Sequence, residues 1–345
     1  MKAALLKEIG KLALADIKKP KCKSEDVLIK VKACAICRTD VKMIQVGHRD
    51  LVFPRIVGHE ISGVIAEIGR KVKYFKEGDN VQIAPGISCG HCPYCIKGIQ
   101  NMCDNMSIIG FHHDGGFAEY VLLPQEAINS GCISKIPDDL TFEEATLAEP
   151  IACCINALEA ADFKSGESIA IWGAGFMGIL FIQLAKAYDA SRVIVIENNK
   201  ERIEVSKKFG ADFYINNSAE DLFQKIERLT QNTGIDVVII ACSNEETPVQ
   251  AVRLLSKRGR IVFFSGLKHE KRNITIDHNL IHYKELKIIG AYGCTSRQNH
   301  IALELLSSRR VKVKDLITHR ISLDEIEKGI KIVTNCIGTK VVVQY

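Results

Sequence analysis

Four cysteines lie close together at a spacing that suits a metal ion. The stretch CGHCPYCIKGIQNMC places Cys89, Cys92, Cys95 and Cys103 within fifteen residues. Two-residue gaps allow neighbouring thiolates to turn back on one centre, and four sulfurs complete the tetrahedral shell of a structural Zn²⁺ site. Such a closed shell leaves no position for a substrate, so we expect a structural zinc ion. The alternatives are a disulfide cluster, which needs an oxidising compartment, or four buried thiols.

A second group with metal-binding chemistry lies upstream. Cys37 offers a thiolate, His59 an imidazole and Glu60 a carboxylate. A thiolate with an imidazole suits zinc, and an acidic third ligand leaves one position open for water or an alcohol. A single Cys or His is more often a core residue than a ligand. His59 and Glu60 stand in the run GHEISGVIAEIGRKV, which starts at Gly58 and has Gly63, Gly69 and Val72 at fixed intervals.

A glycine-rich turn, WGAGFMG, follows the apolar segment SIAIW and precedes the segment GILFIQLAKAY. In a strand–turn–helix setting, Gly173 allows the tight turn, Gly175 lets the backbone approach a pyrophosphate, and Gly178 permits close packing of helix and strand. The anion then binds at the helix N-terminus, where Phe176 and Met177 stand. The turn therefore predicts a dinucleotide site.

The next apolar segment, RVIVIE, ends at Glu197, about where an acidic residue contacts the ribose in such sites. A carboxylate there accepts hydrogen bonds from the adenosine 2′-hydroxyl and repels a 2′-phosphate, which favours NAD over NADP. Arg202 follows five residues later, so some use of NADP stays open. The alternative for Glu197 is a solvated strand end.

The segments around these residues predict two kinds of structure. Residues 1 to about 150 contain short β-rich segments separated by glycine and proline. After about residue 150, apolar strands alternate with helical runs, which predicts a parallel doubly wound sheet. The tail from about residue 291 returns to helix, loop and a final strand, TKVVVQY.

Composition limits the class of protein. The 345 residues are 47% hydrophobic and 25% charged, which is typical of a soluble chain with two domains. The net charge of +5 is scattered, so nucleic acid is not an expected partner. No segment approaches the ~20 apolar residues that cross a bilayer, and Lys7, Glu8 and Lys11 interrupt the N-terminus before a signal peptide could form.

Cysteine usage indicates the compartment. An odd number of cysteines, thirteen, without an export signal, points to the reducing cytoplasm. Eight cysteines lie outside the groups described above, and we expect them to be small apolar residues of the core. These are Cys22, Cys34, Cys132, Cys153, Cys154, Cys242, Cys294 and Cys336.

Several motifs occur in an order that matches one family. After the run from Gly58 come the four-cysteine stretch, FKEGDNV, DGGFAEYVLLP and LAEP. Over almost its whole length the chain resembles the zinc-containing medium-chain dehydrogenase/reductase superfamily, which includes alcohol dehydrogenases. AEPIACCINALE and LIHYKEL are similar to the polyol branch, with its sorbitol or L-iditol 2-dehydrogenases.

The resemblance implies an α/β fold with two domains. A GroES-like, β-rich catalytic domain would comprise residues 1–150 and 291–345, and a Rossmann dinucleotide-binding domain with a doubly wound parallel sheet would comprise residues 151–290. The implied reaction transfers hydride from a secondary alcohol of a polyol or sugar alcohol to NAD. Alternative substrates are a phosphorylated polyol, a modified sugar, a simple alcohol or threonine. The chain would carry two zinc ions and form a homodimer or homotetramer.

Roles for residues around the catalytic zinc also follow from the resemblance. Cys37 and His59 match the zinc ligands, and Glu149 in LAEP matches the carboxylate that the polyol and threonine branches place beside the metal. Alcohol dehydrogenases often use a cysteine there, so Cys153 and Cys154 are alternatives to Glu149. Whether the third ligand is Glu149 or Glu60 stays open.

Further roles are implied for neighbouring residues. Asp40 would orient His59 through its other ring nitrogen. Thr39 matches the hydroxyl that relays the proton, although a helix N-cap is the alternative. Arg38 matches a residue that contacts the cofactor pyrophosphate. Lys42 stands where relatives often carry a proton-relaying histidine, and we expect it to bind a phosphate or ribose oxygen, because lysine is a poor base at neutral pH.

The nicotinamide end of the cofactor has its own candidates. By resemblance, Cys242 and the stretch Ser265, Gly266 and Leu267 flank it, mostly through backbone groups.

Two other classes of function compete with a zinc dehydrogenase. One is a zinc-free reductase of the same superfamily, although such proteins generally lack the cysteine and histidine set present here. The other is a zinc-stabilised binding or scaffold protein without enzymatic activity.

Overall fold

The computed structural model describes residues 1–267 and 269–345. Most apolar segments in this part of the chain are strands. The strands are, in chain order, β1 Lys2–Leu6, β2 Leu12–Asp16, β3 Val27–Ile36, β4 Arg55–Ile56, β5 Glu60–Ile68, β6 Asn80–Ile83, β7 Gly86–Ile87, β8 Ser107–Ile108, β9 Tyr120–Leu123, β10 Ile133–Lys135, β11 Ser168–Trp172, β12 Arg192–Glu197, β13 Phe213–Asn216, β14 Ile235–Ile240, β15 Leu255–Phe263, β16 Lys287–Gly290, β17 Ile317–Ser322 and β18 Lys340–Gln344. The helices are α1 Arg38–Val46, α2 Pro93–Ile96, α3 Gln125–Asn129, α4 Phe142–Thr146, α5 Ala148–Ala160, α6 Phe176–Ala187, α7 Lys200–Lys207, α8 Leu222–Thr230, α9 Glu246–Leu254, α10 His278–Lys284, α11 Ser296–Ser307 and α12 Ile326–Thr334.

The described chain divides into two compact units. Unit 1 consists of residues 1–152 and 294–345, and unit 2 consists of residues 153–293. Among the described residues, no helix combines the length and apolar character needed to cross a membrane.

The largest sheet of unit 1 has the strand order β10-β6-β5-β3-β18-β17, and β9 also pairs with β3. Its central strand, β3, is buried at almost every position, with Lys30 exposed. A strand covered on both faces needs apolar side chains on both, which explains the nearly continuous apolar run VLIKVKACAI. The core beside this sheet includes Phe117, Met43 and Leu6.

The strand register of unit 1 brings three chain segments to one place. Strand β5 is antiparallel to β3 and its first residue, Glu60, pairs with Ala35 near the end of β3. Strand β18 is antiparallel to β3 on the other side, where Val341 pairs with Ile36. The end of β3 and the beginnings of β5 and β18 therefore meet.

Unit 2 contains a sheet of parallel strands in the order β13-β12-β11-β14-β15-β16. Helices connect successive strands, and the order in space is the 3-2-1-4-5-6 order of the Rossmann fold. The predicted doubly wound parallel sheet is confirmed. Helix α9 ends at Leu254, and β15 begins at the next residue, where Leu255 pairs with Ile235.

Candidate metal and cofactor sites

The four cysteines of the stretch 89–103 converge on one point. Their sulfur atoms all lie within 4.8 Å of one another. Short elements turn the chain around this point: Pro93 begins α2 directly after Cys92, and a 3₁₀ turn ends just before Cys103. Backbone N–H groups point at the sulfurs, since Cys89 N donates to Cys103 Sγ at 3.3 Å and Cys92 N donates to Cys89 Sγ at 3.4 Å. Donors of this kind stabilise thiolates.

The segment around these cysteines has little apolar core of its own. The apolar cluster there consists of Cys92, Cys95 and Cys103, with Cys89 and Met106 packed against it. Larger apolar side chains of the same segment, Tyr94, Ile96, Ile99 and Met102, are exposed. Backbone hydrogen bonds, first from Cys95, lower the pKa of Cys92 to about 6, whereas burial raises the pKa of Cys103 to about 12. Four convergent sulfurs with short sequence gaps fit a structural zinc ion.

Cys37, His59 and Glu60 form a second group in unit 1. One ligand atom from each lies within 4.8 Å of the others, and both His59 and Glu60 are buried. The group forms because Cys37 follows the last residue of β3, and β5 starts beside it with Glu60 opposite Ala35. A sulfur, an imidazole nitrogen and a carboxylate oxygen are all donors that zinc accepts, so these side chains fit the ion.

Asp40 connects this group to the start of α1. Its Oδ1 accepts hydrogen bonds from His59 Nδ1 at 3.0 Å and from Gly58 N at 3.2 Å, while its Oδ2 accepts one from Cys37 N at 2.8 Å. A carboxylate that accepts from Nδ1 leaves Nε2 as the ring atom for a metal. Burial is the largest single influence and acts to lower the pKa of His59, but the charges and hydrogen bonds of Asp40 and Cys37 together outweigh it, so the pKa of the imidazole lies well above its ordinary value.

Helix α1 is capped by Cys37. Its Sγ accepts a hydrogen bond from Thr39 N at 3.4 Å, and Asp40 completes a capping box. The alternative that Thr39 is the N-cap is therefore wrong, because the chain turns into the helix one residue before Arg38. Thr39 is half-buried in the first turn of the helix.

A buried lysine beside this group was not identified from the sequence. Lys340 is 5% exposed, and its Nζ donates a hydrogen bond to Glu60 Oε1 at 2.7 Å. Its ammonium also lies 2.6 Å from Glu60 Oε2, so the ion pair involves both oxygens of the carboxylate. Burial acts to lower the pKa of Lys340, but the charges of Glu60, Cys37 and Glu149 raise it overall. The signal in the sequence was a lysine directly before the apolar run VVV of the last strand.

Glu149 lies at the N-terminus of α5 and is buried. Its carboxylate lies within 4.8 Å of Cys294 Sγ. Its charge also helps to raise the pKa of Lys340, the lysine paired with Glu60. Cys153 is half-buried and Cys154 is buried.

The glycine-rich turn of unit 2 has the geometry of a phosphate-binding loop. Gly173 has a φ of +109°, which favours glycine, and a Cβ at Gly178 would collide with the carbonyl of Gly173. A Cβ at Gly175 would meet no atom of the described residues within 4 Å, so they leave the space above it open. Gly175 is also the N-cap of α6, and no side chain caps the helix at this end. The helix begins with Phe176 and Met177. These features fit a pyrophosphate at the helix N-terminus.

Glu197 ends β12 next to this turn. Its carboxylate accepts hydrogen bonds from Ala174 N at 2.8 Å, Asn198 N at 2.8 Å and Asn199 N at 3.0 Å. Arg202 Nη1 lies 4.0 Å from Glu197 Oε2. Glu197 is thus held against the glycine-rich turn and is not a solvated strand end, since it is 6% exposed.

The candidates for the nicotinamide end follow the next strands of the same sheet. Cys242 comes after β14, and its Cβ is 3.3 Å from the position that a Cβ on Gly173 would occupy. Ser265, Gly266 and Leu267 come after β15, where Ser265 N donates to Ile240 O at 3.1 Å. Unit 2 therefore gathers its cofactor candidates at the carboxyl edge of a parallel sheet, where such folds bind ligands.

Two basic candidates lie in unit 1. Arg38 is exposed, and its Nη1 donates a hydrogen bond to Cys336 Sγ at 3.2 Å. Lys42 is exposed on α1.

Cys336 is itself exposed, so the expectation that the remaining cysteines pack in the core is wrong at this position. Cys336 itself has a φ of +56° and lies in the turn between α12 and β18.

Comparison with known proteins assigns the family. Residues 23–138 match the alcohol dehydrogenase GroES-like domain, and residues 177–308 match the zinc-binding dehydrogenase domain. The chain is 31% identical to the sorbitol dehydrogenase of Bacillus subtilis over 349 residues, covering 99% of this chain and 97% of that protein. The chain belongs to the zinc-containing medium-chain alcohol dehydrogenase family. The predicted GroES-like and Rossmann fold class and the family resemblance are confirmed.

Other members of this dehydrogenase family extend the comparison. The chain is 31% identical to the L-threonine 3-dehydrogenase of Idiomarina loihiensis over 335 residues, with 96% of each chain covered. A zinc-binding dehydrogenase from Sinorhizobium meliloti 1021 bound to NADP superposes with a TM-score of 0.91, at 31% identity over 100% of this chain and 99% of that chain. An alcohol dehydrogenase from Escherichia coli CFT073 in complex with NADH superposes with a TM-score of 0.90. The two chains are 28% identical, and the match covers 100% of this chain and 99% of that chain. The protein is an oxidoreductase of the zinc-type alcohol and polyol dehydrogenases.

Proposed function

We propose that this dehydrogenase oxidises a secondary alcohol of a polyol or sugar alcohol to the ketose or ketone, with NAD as the hydride acceptor. The observation that carries the proposal is the group of Cys37, His59 and Glu60, in which Asp40 leaves Nε2 of His59 as the metal-binding nitrogen. One proton is released for each hydride transferred, so the site must also accept and export a proton.

Each residue near the group has a proposed role. Cys37 and His59 hold the catalytic zinc, and Glu60 lies beside it. Bound zinc would lower the pKa of the substrate hydroxyl and polarise the product carbonyl. Thr39, half-buried in the first turn of α1, accepts the hydroxyl proton and passes it towards solvent. Glu149 would contribute a carboxylate to the catalytic zinc, directly or through water.

For the cofactor, we propose that the N-terminus of α6 binds the pyrophosphate, with Arg38 as a further contact. Glu197 carries a negative charge that three backbone N–H groups stabilise. A fixed carboxylate beside the glycine-rich turn attracts a ribose 2′-hydroxyl and repels a 2′-phosphate, so NAD is preferred. Arg202, 4.0 Å from Glu197, allows some use of NADP.

The substrate class rests on chemistry shared by the relatives. Sorbitol and threonine both carry a secondary hydroxyl with a polar group on the neighbouring carbon. We propose a substrate with the same feature and place unphosphorylated polyols first. A phosphorylated polyol, a modified sugar, a simple alcohol and threonine are the competing substrates.

A panel of these compounds tests the proposal. NADH formation should be fastest with a polyol, and a clear preference for threonine or a sugar phosphate would replace that substrate class. The variant Cys37→Ser/His59→Ala should lose at least about 100-fold in kcat/KM, because metal polarisation supplies several kcal/mol. Parental speed in that variant, with the fold verified by circular dichroism, would contradict the role of the site. The parental protein should contain two zinc ions per chain, whereas one would favour a scaffold protein and none a zinc-free reductase.

We further propose that the chain forms homodimers or homotetramers. Strand β16 is the last strand in the sheet order of unit 2, and Ile288 on it is 41% exposed. An open strand edge with apolar side chains is suited to pairing with a second copy.

A further inference from the structure

A buried ion pair between Lys340 and Glu60 lies at the proposed catalytic metal site. Lys340 is 5% exposed and Glu60 is 1% exposed. Charged residues are almost never this buried unless they are paired, and replacing such a pair by apolar residues is often neutral or stabilising. The next three residues of β18 are valines, so an apolar residue at position 340 would suit the strand. Packing alone therefore does not account for a lysine here.

The ammonium of Lys340 lies close to both oxygens of Glu60. Its Nζ donates a hydrogen bond to Oε1 at 2.7 Å. The same nitrogen lies 2.6 Å from Oε2. Both oxygens of the carboxylate are thus held within ion-pair distance of one buried ammonium. A carboxylate oxygen of Glu60 also lies within 4.8 Å of donor atoms of Cys37 and His59.

Charge compensation points in the same direction. Glu60, Cys37 and Glu149 all act on Lys340 to favour its charged form, and the carboxylate of Asp40 is buried beside Cys37 and His59. A single divalent cation would not balance so many acidic groups in a buried place. The ammonium of Lys340 adds positive charge there and competes with the metal for the carboxylate of Glu60.

We infer that Lys340 is a positioning residue that restrains Glu60. By pairing with both oxygens of Glu60, it keeps the carboxylate from closing on a bound metal, and so preserves the open position that a substrate hydroxyl needs. This inference rests on the proposed function, because it requires a catalytic metal at Cys37 and His59. Without the lysine, Glu60 occupies the open position, and the metal gains a ligand.

Cobalt substitution measures the number of metal ligands directly, because the d–d absorption bands of Co²⁺ weaken when the ion goes from four ligands to five or six. The protein is loaded with Co²⁺, and the spectrum of the Cys37→Ser/His59→Ala variant is subtracted to remove the contribution of the four-cysteine site. In Lys340→Met the remaining bands should lose intensity, and in Lys340→Arg they should recover. Lys30→Met, an exposed position on the neighbouring strand β3, is the matched control and should leave them unchanged.

A double substitution separates restraint of Glu60 from a general effect on folding. In the Glu60→Gln background the charged carboxylate is gone, so adding Lys340→Met should change the spectrum no further. Bands of parental intensity in Lys340→Met, or an equal loss with and without Glu60→Gln, would overturn the inference. A parental protein with no cobalt signal beyond that of the four-cysteine site would instead overturn the proposed catalytic metal.

Discussion

Asp40 and His59 form a fully buried hydrogen bond in which Asp40 Oδ1 accepts from His59 Nδ1 at 3.0 Å. The other oxygen of Asp40 accepts from the backbone of Cys37 at 2.8 Å. One carboxylate therefore fixes both the ring of the histidine and the backbone of the cysteine that we propose as zinc ligands. Residues that accept hydrogen bonds from metal ligands set the orientation and basicity of those ligands.

Asp40→Asn should weaken metal binding and activity together. The amide keeps the shape but loses the charge, and its NH₂ group would face a donor, either His59 Nδ1–H or Cys37 N–H. We expect a loss of about 10- to 100-fold in zinc affinity, measured by competition with a chelator, and in kcat/KM. Asp324→Asn, at an exposed ion pair with Lys2, is the control. Parental zinc affinity in a folded Asp40→Asn protein would contradict the assigned role.

Glu197→Gln should relax the preference between cofactors. The amide can still accept backbone hydrogen bonds but no longer repels a 2′-phosphate. We expect the ratio of kcat/KM with NADP to kcat/KM with NAD to rise about tenfold, which corresponds to about 1.4 kcal/mol. Glu201→Gln, on the exposed face of α7, should leave the ratio unchanged. If the ratio stayed at the parental value, Glu197 would not be the residue that distinguishes the cofactors.

Lys42→Ala tests whether this residue binds cofactor or moves protons. We expect KM for NAD to rise about two- to fivefold, because exposed charge contacts contribute up to about 1 kcal/mol, while the acidic limb of the pH–rate profile stays in place. Lys207→Ala, on α7, is the control at an exposed helical position. A shifted acidic limb with unchanged cofactor affinity would show that Lys42 takes part in proton transfer.

Cys95→Ser should cost the protein one zinc ion and local order. The segment around the four cysteines has mainly sulfurs in its apolar cluster, so little else stabilises its turns. Zinc content should fall from two ions to one per chain, and limited proteolysis should cut between residues 88 and 107. Cys22→Ser, a half-buried cysteine outside both metal groups, should retain both ions. Full zinc content in Cys95→Ser would contradict a four-cysteine site.

Ile288→Lys tests the proposed pairing of β16 edges. A charge on an exposed strand edge opposes pairing with a second copy. We expect the dissociation constant of the oligomer, measured by analytical ultracentrifugation, to rise at least about tenfold. Ile9→Lys, at an exposed turn residue, should not change it. Unaltered association of Ile288→Lys would place the interface elsewhere.

Local patterns were sufficient for the parts of this protein that depend on short stretches of chain. The apolar segments SIAIW and RVIVIE became β11 and β12 over the expected residues, because a buried parallel strand needs a continuous apolar run. The gaps between Cys89, Cys92 and Cys95 similarly predicted sulfurs that converge. By contrast, the N-cap of α1 is Cys37, two residues before Thr39, and it is held by reciprocal hydrogen bonds from Thr39 N to Cys37 Sγ and from Cys37 N to Asp40.

The sequence by itself determined the two classes of domain, the glycine-rich turn and the convergent cysteines, since these follow from periodicity and spacing within a few residues. Only the tertiary structure decided that Lys340 meets Glu60 across 280 positions of the chain and that Glu149 lies beside Cys294. The reason is strand register: β3 lies between β5 and β18, and the pairing of Val341 with Ile36 brings the last strand to the end of β3. Pairing partners so far apart in the chain leave no local pattern from which their contact could be inferred.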